Sequence, residues 1–261
     1  MRFFVLTTLF AITASSALAM EVSDIINKAN HTSYYQDVSG KAKIKMLITD
    51  KQGRERERSF TILRKDMDDA EGFTGDQKFY VFFKKPADVN KTAFLVWKHV
   101  KSDDDRWLYL PALDLVKRIA ASDKRTSFVG SHFFYEDVSG RNPTEDTHVL
   151  ENDSNEFYTI KSTPKSTKGV EFDSYTSTIH KQTFLPVKIE YFKNGKKYRT
   201  YEAMQVAEVE GKPTVVASKM SDLNSGGFTI MKYSKVDYGF EVDDKIFTER
   251  YLRKPPRKAL R

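Results

Sequence analysis

The sequence contains no cysteine, which excludes disulfide bridges, thiolate metal ligands, cysteine nucleophiles and a lipid-modified N-terminal cysteine. Glycine and proline are also few, at 12 and 8 of 261 residues, while 39% of the residues are hydrophobic and 30% are charged. These proportions exclude collagen-like and disordered chains. They leave a globular protein that is long enough to bury a large core.

Motifs of catalysis and nucleotide binding are absent as well. No G-x-S-x-G, G-x-x-x-x-G-K-[ST] or G-x-G-x-x-G occurs, so hydrolases with a nucleophile elbow, P-loop proteins and dinucleotide enzymes have no support. The five histidines are isolated, without the spacing that places two imidazoles on one metal. We therefore predict a protein that is not an enzyme and holds no metal and no cofactor. A lipid or glycan hydrolase stays open as an alternative, because a carboxylate pair from distant strands leaves no local motif.

A leader is the clearest positive feature. Residues 1–19 combine Arg2, an apolar stretch over residues 3–12 and the small-residue ending Ala17-Leu18-Ala19. This pattern is typical of a signal peptide cleaved after Ala19, so we expect export. No later stretch approaches the roughly 18 apolar residues that a spanning helix needs.

The net charge of +7 is concentrated at the two ends of the chain. Arg2 and the basic residues of the C-terminal tail, residues 250–261, account for all of it, so the body over residues 20–249 is neutral. Nucleic-acid binding requires cations on the folded domain and is not expected. The tail is either a solvated terminus or a peripheral contact to an anionic membrane surface.

Alternation of apolar and polar residues with short turns predicts one strand after another from residue 40 onwards. Residues 21–30 are predicted to be helical, residues 148–161 to form one strand, and residues 120–140 to interrupt the sheet with a loop and a helical turn. We predict one mainly β domain over residues 20–249. Its single curved antiparallel sheet of about ten or eleven strands forms an incomplete barrel, with a few helices packed in or over its mouth.

Three neighbouring strands carry more large apolar side chains than one barrel interior needs. Residues 78–84, 93–97 and 107–110 are almost continuously apolar, which indicates that both faces of these strands are covered. One explanation is a core on one face and helices on the other. The alternative is a cavity for a hydrophobic ligand.

A set of sequence blocks extends over most of the chain after residue 83. The blocks are KKPADV (84–89), TAFLVW (92–97), DDRWLYLPAL (104–113), VKRI (116–119), SFVGS (127–131), FYED (134–137), LPVK (185–188) and IFTERYL (246–252). Together they resemble the LolA/LolB-like superfamily of outer-membrane lipoprotein-sorting proteins, and more closely its larger branch that accompanies membrane transporters. The resemblance implies an open curved barrel with a helical lid, whose cavity holds acyl chains.

The resemblance further implies a periplasmic carrier that binds acyl chains of a lipoprotein or lipid and hands them over between membranes. An alternative is a periplasmic accessory subunit of an RND/MMPL-like lipid exporter. The expected partners are the acyl chains and either such an inner-membrane transporter or an outer-membrane acceptor. The predicted cavity residues are Phe82, Phe94, Trp97, Trp107, Tyr109, Val187, Ile189 and Tyr191, and the predicted lid residues are Phe128, Phe133 and Phe134.

Overall fold

The computed structural model describes residues 20–69 and 72–261, and the predicted leader lies outside the described residues. Within these residues there are three α-helices, α1 (Val22–Tyr34), α2 (Tyr135–Ser139) and α3 (Glu249–Arg253). The same residues form thirteen strands: β1 (Ser39–Thr49), β2 (Glu55–Asp69), β3 (Gly72–Lys85), β4 (Ala93–Lys98), β5 (Asp105–Leu110), β6 (Leu115–Ile119), β7 (Asp146–Asp153), β8 (Phe157–Pro164), β9 (Ser174–His180), β10 (Pro186–Lys193), β11 (Lys196–Val209), β12 (Lys212–Asp222) and β13 (Gly227–Tyr238).

All thirteen strands belong to one antiparallel sheet, in the order β6-β5-β4-β3-β2-β1-β13-β12-β11-β10-β9-β8-β7. The prediction of a mainly β fold with one open sheet is confirmed. The strand count exceeds the predicted ten or eleven, in part because residues 148–161 belong to two strands. The Ser154 hydroxyl accepts a hydrogen bond from the Phe157 N–H and donates one to the Phe157 carbonyl, each at 3.0 Å, and this closes a turn between β7 and β8.

Strand β1 shows how alternation sets the two faces of the sheet. Ile44, Met46 and Ile48 are buried, whereas the residues that alternate with them, Lys43, Lys45 and Leu47, are not. Successive side chains of a strand point to opposite faces, so the three apolar residues share one face. We call this the inner face, and its core joins residues of β1 to β5 with residues of β12 and β13.

Strands β3 and β4 are apolar on both faces, as their continuous sequence pattern predicts. Phe79 and Phe83 pack in the inner core, while Tyr80 and Leu95 pack on the outer face. The outer face is covered by the chain that follows β13, including the buried residue Phe247. For β3 and β4, therefore, one face packs in the inner core and the other face is covered by a second layer.

The basic C-terminal tail belongs to that outer layer. Leu252 and Leu260 are buried, and the Lys84 ammonium donates a hydrogen bond to the Leu260 carbonyl. Helix α3 packs against β4 and β5 and not over the mouth of the sheet. The tail is thus anchored by its apolar side chains, which differs from the expectation of a solvated terminus.

Residues 120–145, here called the crossing segment, connect β6 to β7. These strands follow each other in the sequence but lie at opposite edges of the sheet, so the segment has to pass from one edge to the other. It does so along the inner face, where Phe128 and Tyr135 join the inner core. Helix α1 also lies on this face, with Ile25 and Ala29 packed against β8 and β9.

Candidate functional site

A cavity of about 410 Å³ lies between the inner face, helix α1 and the crossing segment. Its volume falls within the roughly 300–1,000 Å³ range of small-molecule binding sites. The sheet contributes residues from β1 to β3 and from β9 to β13, so the two halves of the chain meet around it. The order of the strands explains this, because β1 and β13 pair at the centre of the sheet.

The wall on the sheet side is largely apolar. Ile44 of β1, Phe60 of β2, Ile189 of β10, Met220 of β12 and Met231 of β13 line it. Methionine side chains are unbranched and polarizable, and so they adapt to ligands of irregular shape. This wall is suited to alkyl groups.

The opposite wall comes from the crossing segment, and Phe128 holds it in place. The Phe128 side chain is fully buried, and its ring centroid lies 5.5–6.1 Å from those of Phe60, Phe83, Phe94 and Tyr135. Tilted and edge-on aromatic pairs at this separation are favourable. The segment is therefore anchored to β2, β3 and β4 by aromatic packing.

A buried ion pair attaches the other end of the crossing segment to the sheet, because Arg141 lies 2.7 Å from the buried carboxylate of Asp146 on β7. Within the segment itself, Arg125 Nε lies 2.9 Å from Glu136 Oε2. Burial alone lowers the pKa of the Arg141 guanidinium. The hydrogen bond and charge of Asp146 and the charges of Glu136 and Glu145 outweigh that effect, so its pKa is raised. Arg141 therefore stays protonated in this site.

A second link joins the crossing segment to β11 inside the cavity. Arg199 forms an ion pair with Asp137 of α2, and its Nη2 donates to the His132 carbonyl at 3.2 Å. Its guanidinium lies 3.8 Å from the ring centroid of Phe134. A planar guanidinium stacks well on an aromatic face, so this arginine holds the segment by charge, hydrogen bonding and stacking together.

Tyrosines form the polar part of the cavity wall. Tyr175, Tyr191 and Arg199 lie directly opposite one another on β9, β10 and β11, so their side chains share the inner face. The Tyr175 hydroxyl donates to Asp146 at 2.8 Å. Tyr233 also lines the cavity, and burial raises its pKa to about 12. The hydroxyl groups in the cavity are thus neutral donors at physiological pH.

The structure places the predicted cavity residues in several different environments. Ile189 and Tyr191 line the cavity, as do the predicted lid residues Phe128, Phe133 and Phe134. Phe94 lies behind that wall in the inner core, and Val187 is not part of the lining. The remaining four pack against the outer cluster: Phe82, Trp97, Trp107 and Tyr109.

The structure corrects the predicted position of these four residues. Neighbouring residues of a strand point to opposite faces of the sheet. Phe83 of β3 and Val96 of β4 lie in the inner core, so their neighbours Phe82 and Trp97 lie on the outer face. The Trp97 indole donates to the Phe247 carbonyl at 2.9 Å. Their apolar surface therefore serves the contact with the C-terminal layer.

Several lining residues were not predicted from the sequence. Among them are Tyr34, Arg199, Tyr201, Met220 and Met231. Met231 and Tyr233 alternate with Lys232 along β13. This alternation predicts that Met231 and Tyr233 face the interior, so their place in the cavity wall could have been predicted from the sequence. Arg199 gives no such signal, because a charged residue in a strand is normally assigned to the solvent face.

The serine–histidine neighbours Ser131 and His132 do not contact each other as a nucleophile and base would. The His132 Nδ1 lies 2.8 Å from the Thr229 hydroxyl, and the Ser131 hydroxyl donates to the Phe133 carbonyl at 3.3 Å. Of the acidic residues, Asp66 lies buried within β2, where Gln77 donates to it at 2.7 Å. These side chains are engaged in holding the fold.

Taken together, the open sheet, the inner cavity and the crossing segment define a half-barrel with an internal, largely apolar binding cavity. No helix in the described part of the chain is long and apolar enough to cross a membrane.

Comparison with known proteins identifies the family. A family model with the description "Uncharacterized protein" matches residues 75–254, which is more than half of the chain. A DUF1329 family protein from Desulfovibrio piger is 26% identical, with a TM-score of 0.80 over 88% of this chain and 96% of that one. None of the curated proteins matches.

Two further structures share the fold. A domain named as a candidate outer membrane lipoprotein-sorting protein, from Vibrio parahaemolyticus, is 23% identical with a TM-score of 0.78, covering 88% of this chain and 97% of that one. A LolA superfamily protein from Nitrosomonas europaea is 20% identical with a TM-score of 0.69, covering 89% of this chain and 100% of that one. The chain belongs to the matching family, and it shares its fold with these lipoprotein-sorting and LolA superfamily structures.

Proposed function

We propose that this protein is a carrier that shelters the acyl chains of a lipid or lipoprotein in its inner cavity. The observation that carries the proposal is the cavity itself, whose sheet-side wall is formed by residues such as Ile44, Met220 and Met231. Its position between the sheet and the crossing segment supports the same reading. A lipoprotein-sorting function is part of the name of the similar Vibrio parahaemolyticus domain, and for this protein it is part of the proposal.

Transfer by such a carrier needs no bond chemistry. Each methylene group that moves from water into an apolar cavity gains about 0.8 kcal/mol, so an acyl chain alone provides the affinity for capture. Release then requires a membrane or partner that offers an equally apolar site. The direction of transfer is set by the acceptor and not by the carrier.

The proposed place of action is the periplasm, where a carrier would exchange acyl chains between two membranes. An RND/MMPL-like inner-membrane transporter or an outer-membrane acceptor is the proposed partner. Affinity purification of the protein from detergent-solubilised membranes tests this. A stoichiometric inner-membrane transporter in the eluate would assign an accessory role, whereas its absence together with vesicle-to-vesicle transfer would assign a free carrier.

The first experiment compares two glutamate variants on the same strand. Ile189 lines the cavity, whereas Val187, two residues earlier and also half-buried, does not. The wild type, Ile189→Glu and Val187→Glu are purified without detergent and extracted with organic solvent. Bound lipid is then quantified by mass spectrometry, and thermal unfolding confirms that each variant is folded.

We expect about one equivalent of bound acyl lipid in the wild type and in Val187→Glu. Ile189→Glu should retain less than about a tenth of that amount, because an ionised carboxylate in an apolar cavity is strongly unfavourable. Equal retention by both variants would refute the assignment of the cavity. A wild type that neither co-purifies with lipid nor binds an added apolar probe would refute the carrier function.

A further inference from the structure

We infer that the cavity recognises an uncharged carbonyl oxygen of its acyl ligand, as found in an ester or amide, through Arg199. This inference rests on the proposed carrier function and adds the class of ligand to it. An apolar cavity alone would accept any hydrocarbon of suitable size. Arg199 and the tyrosines around it would give the cavity one fixed polar contact.

The arginine is held so that one of its three nitrogens has no partner in the described part of the chain. Its side chain is only 4% exposed, its two terminal nitrogens bond to Asp137, and one of them also donates to the His132 carbonyl. Among the described residues the Arg199 Nε has no hydrogen-bond partner, although it is buried. An unpaired buried donor costs about 1–3 kcal/mol, which a ligand acceptor would recover.

Arg199 is distinguished from the other buried arginines by its position and by this free donor. Arg58 and Arg106 also have unpaired guanidinium nitrogens, but neither lines the cavity. Arg125 and Arg141 do line the cavity, but their nitrogens without a hydrogen bond lie close to carboxylates. Arg125 Nε is 2.9 Å from Glu136 Oε2, and Arg141 Nη1 is 2.6 Å from Glu145 Oε2. Within the described chain, Arg199 therefore combines a cavity position with an unpaired nitrogen that has no carboxylate beside it.

Two tyrosine hydroxyls belong to the same polar area. Tyr34 and Tyr191 both line the cavity. Tyr191 lies directly opposite Arg199, with its ring centroid 5.1 Å from the guanidinium carbon. Burial, and then the Asp137 carboxylate, raise the pKa of Tyr34 well above its usual value. Both hydroxyls thus remain neutral donors near Asp137.

The charge balance selects an uncharged ligand oxygen over a carboxylate. Arg199 is already neutralised by Asp137, so a ligand carboxylate would leave a net negative charge in a buried site. An ester or amide carbonyl accepts hydrogen bonds without bringing a charge. It is also attached directly to an alkyl chain, which would lie along the apolar wall.

The test uses three probes and the purified, delipidated protein. N-phenyl-1-naphthylamine, a neutral apolar dye without a carbonyl group, is titrated directly by its fluorescence. Methyl laurate and laurate, which share one alkyl chain, are measured by displacement of that dye. The main variant is the double substitution Arg199→Met with Asp137→Asn, which removes both charges together and leaves no unpaired ion.

We expect the wild type to bind methyl laurate more tightly than laurate. In the double variant the affinity for methyl laurate should fall about tenfold or more while that for the dye changes less than about twofold. Asp137→Asn alone leaves the positive charge of Arg199 without its carboxylate partner. The affinity for laurate should therefore increase about tenfold relative to the affinity for methyl laurate. Tyr191→Phe should weaken methyl laurate about threefold, with Tyr158→Phe, outside the cavity, as the unchanged control.

Each contrary outcome decides a separate question. A double variant that binds methyl laurate within twofold of the wild type would overturn the inference about Arg199. If the double variant fails to fold, the single variants decide the inference about Arg199. It would be overturned if Tyr191→Phe binds methyl laurate as tightly as the wild type and Asp137→Asn has the wild-type ratio of laurate to methyl laurate affinity. Tighter binding of laurate by the wild type would overturn the choice of an uncharged oxygen. If the dye itself does not bind, the carrier function fails before the inference is reached.

Discussion

Replacing Phe128 by alanine tests whether the crossing segment is anchored by its aromatic contacts. The Phe128 side chain is fully buried, with four ring neighbours within 6.1 Å. A buried Phe→Ala change costs about 3–5 kcal/mol through lost burial and the cavity left behind. Single domains are stable by only about 5–15 kcal/mol, so we expect Phe128→Ala to lose a large part of the free energy of unfolding.

Urea unfolding, followed by tryptophan fluorescence and by circular dichroism, measures this loss. With a slope of about 2–3 kcal/mol per molar urea, the midpoint should fall by about 1–2.5 M. Phe134→Ala is the matched control, because Phe134 stacks on Arg199 but is only half-buried. We expect it to cost about 1 kcal/mol. A loss below about 1 kcal/mol for Phe128→Ala, or equal losses in both variants, would refute the reasoning that Phe128 anchors the segment.

Three further predictions concern other layers of the fold. Burial lowers the pKa of Lys98 to about 8, so the folded state binds fewer protons than the unfolded state above that pH. The contribution of Lys98 to stability should therefore rise by on the order of 2 kcal/mol between pH 8 and pH 10, measured as the difference between the wild type and Lys98→Met, and a difference that stays constant with pH would contradict the assignment. Leu252→Ala should cost about 2–5 kcal/mol in urea unfolding, and a cost near zero would mean that the C-terminal layer is not tightly packed. Tyr175→Phe should cost about 1–3 kcal/mol by losing its hydrogen bond to Asp146, and an unchanged melting temperature would refute that contribution.

The fold was largely predictable because strand alternation and turn residues are local signals. The open antiparallel sheet follows from them, and the apolar runs of β3 and β4 correctly indicate two covered faces. The Ser154 turn was missed because it depends on one hydroxyl that bonds to the Phe157 backbone. Strand boundaries of this kind are set by side-chain geometry that composition does not reveal.

The cavity was less predictable, because alternation defines two faces without saying which one is inside. Phe82 and Phe83 of β3 are the same residue type and equally apolar, yet only Phe83 lies in the inner core. The choice is made by the C-terminal layer, which covers the other face with residues far away in the sequence, such as Leu260. Arg199 was missed for a related reason, since its partner Asp137 is on a different element.

The position of the crossing segment has a consequence for how the half-barrel can widen. The sheet is an arc whose two ends are consecutive in the chain, so the segment is a chord that joins them. Fully extended, residues 120–145 would reach roughly 90 Å, and so their length does not limit the arc. The limit comes from the fixed points, which are Phe128 on one side and the ion pairs of Arg199 with Asp137 and of Arg141 with Asp146 on the other. Widening therefore requires one fixed point to detach, so the aperture of this protein should change in discrete steps and not by gradual flexing.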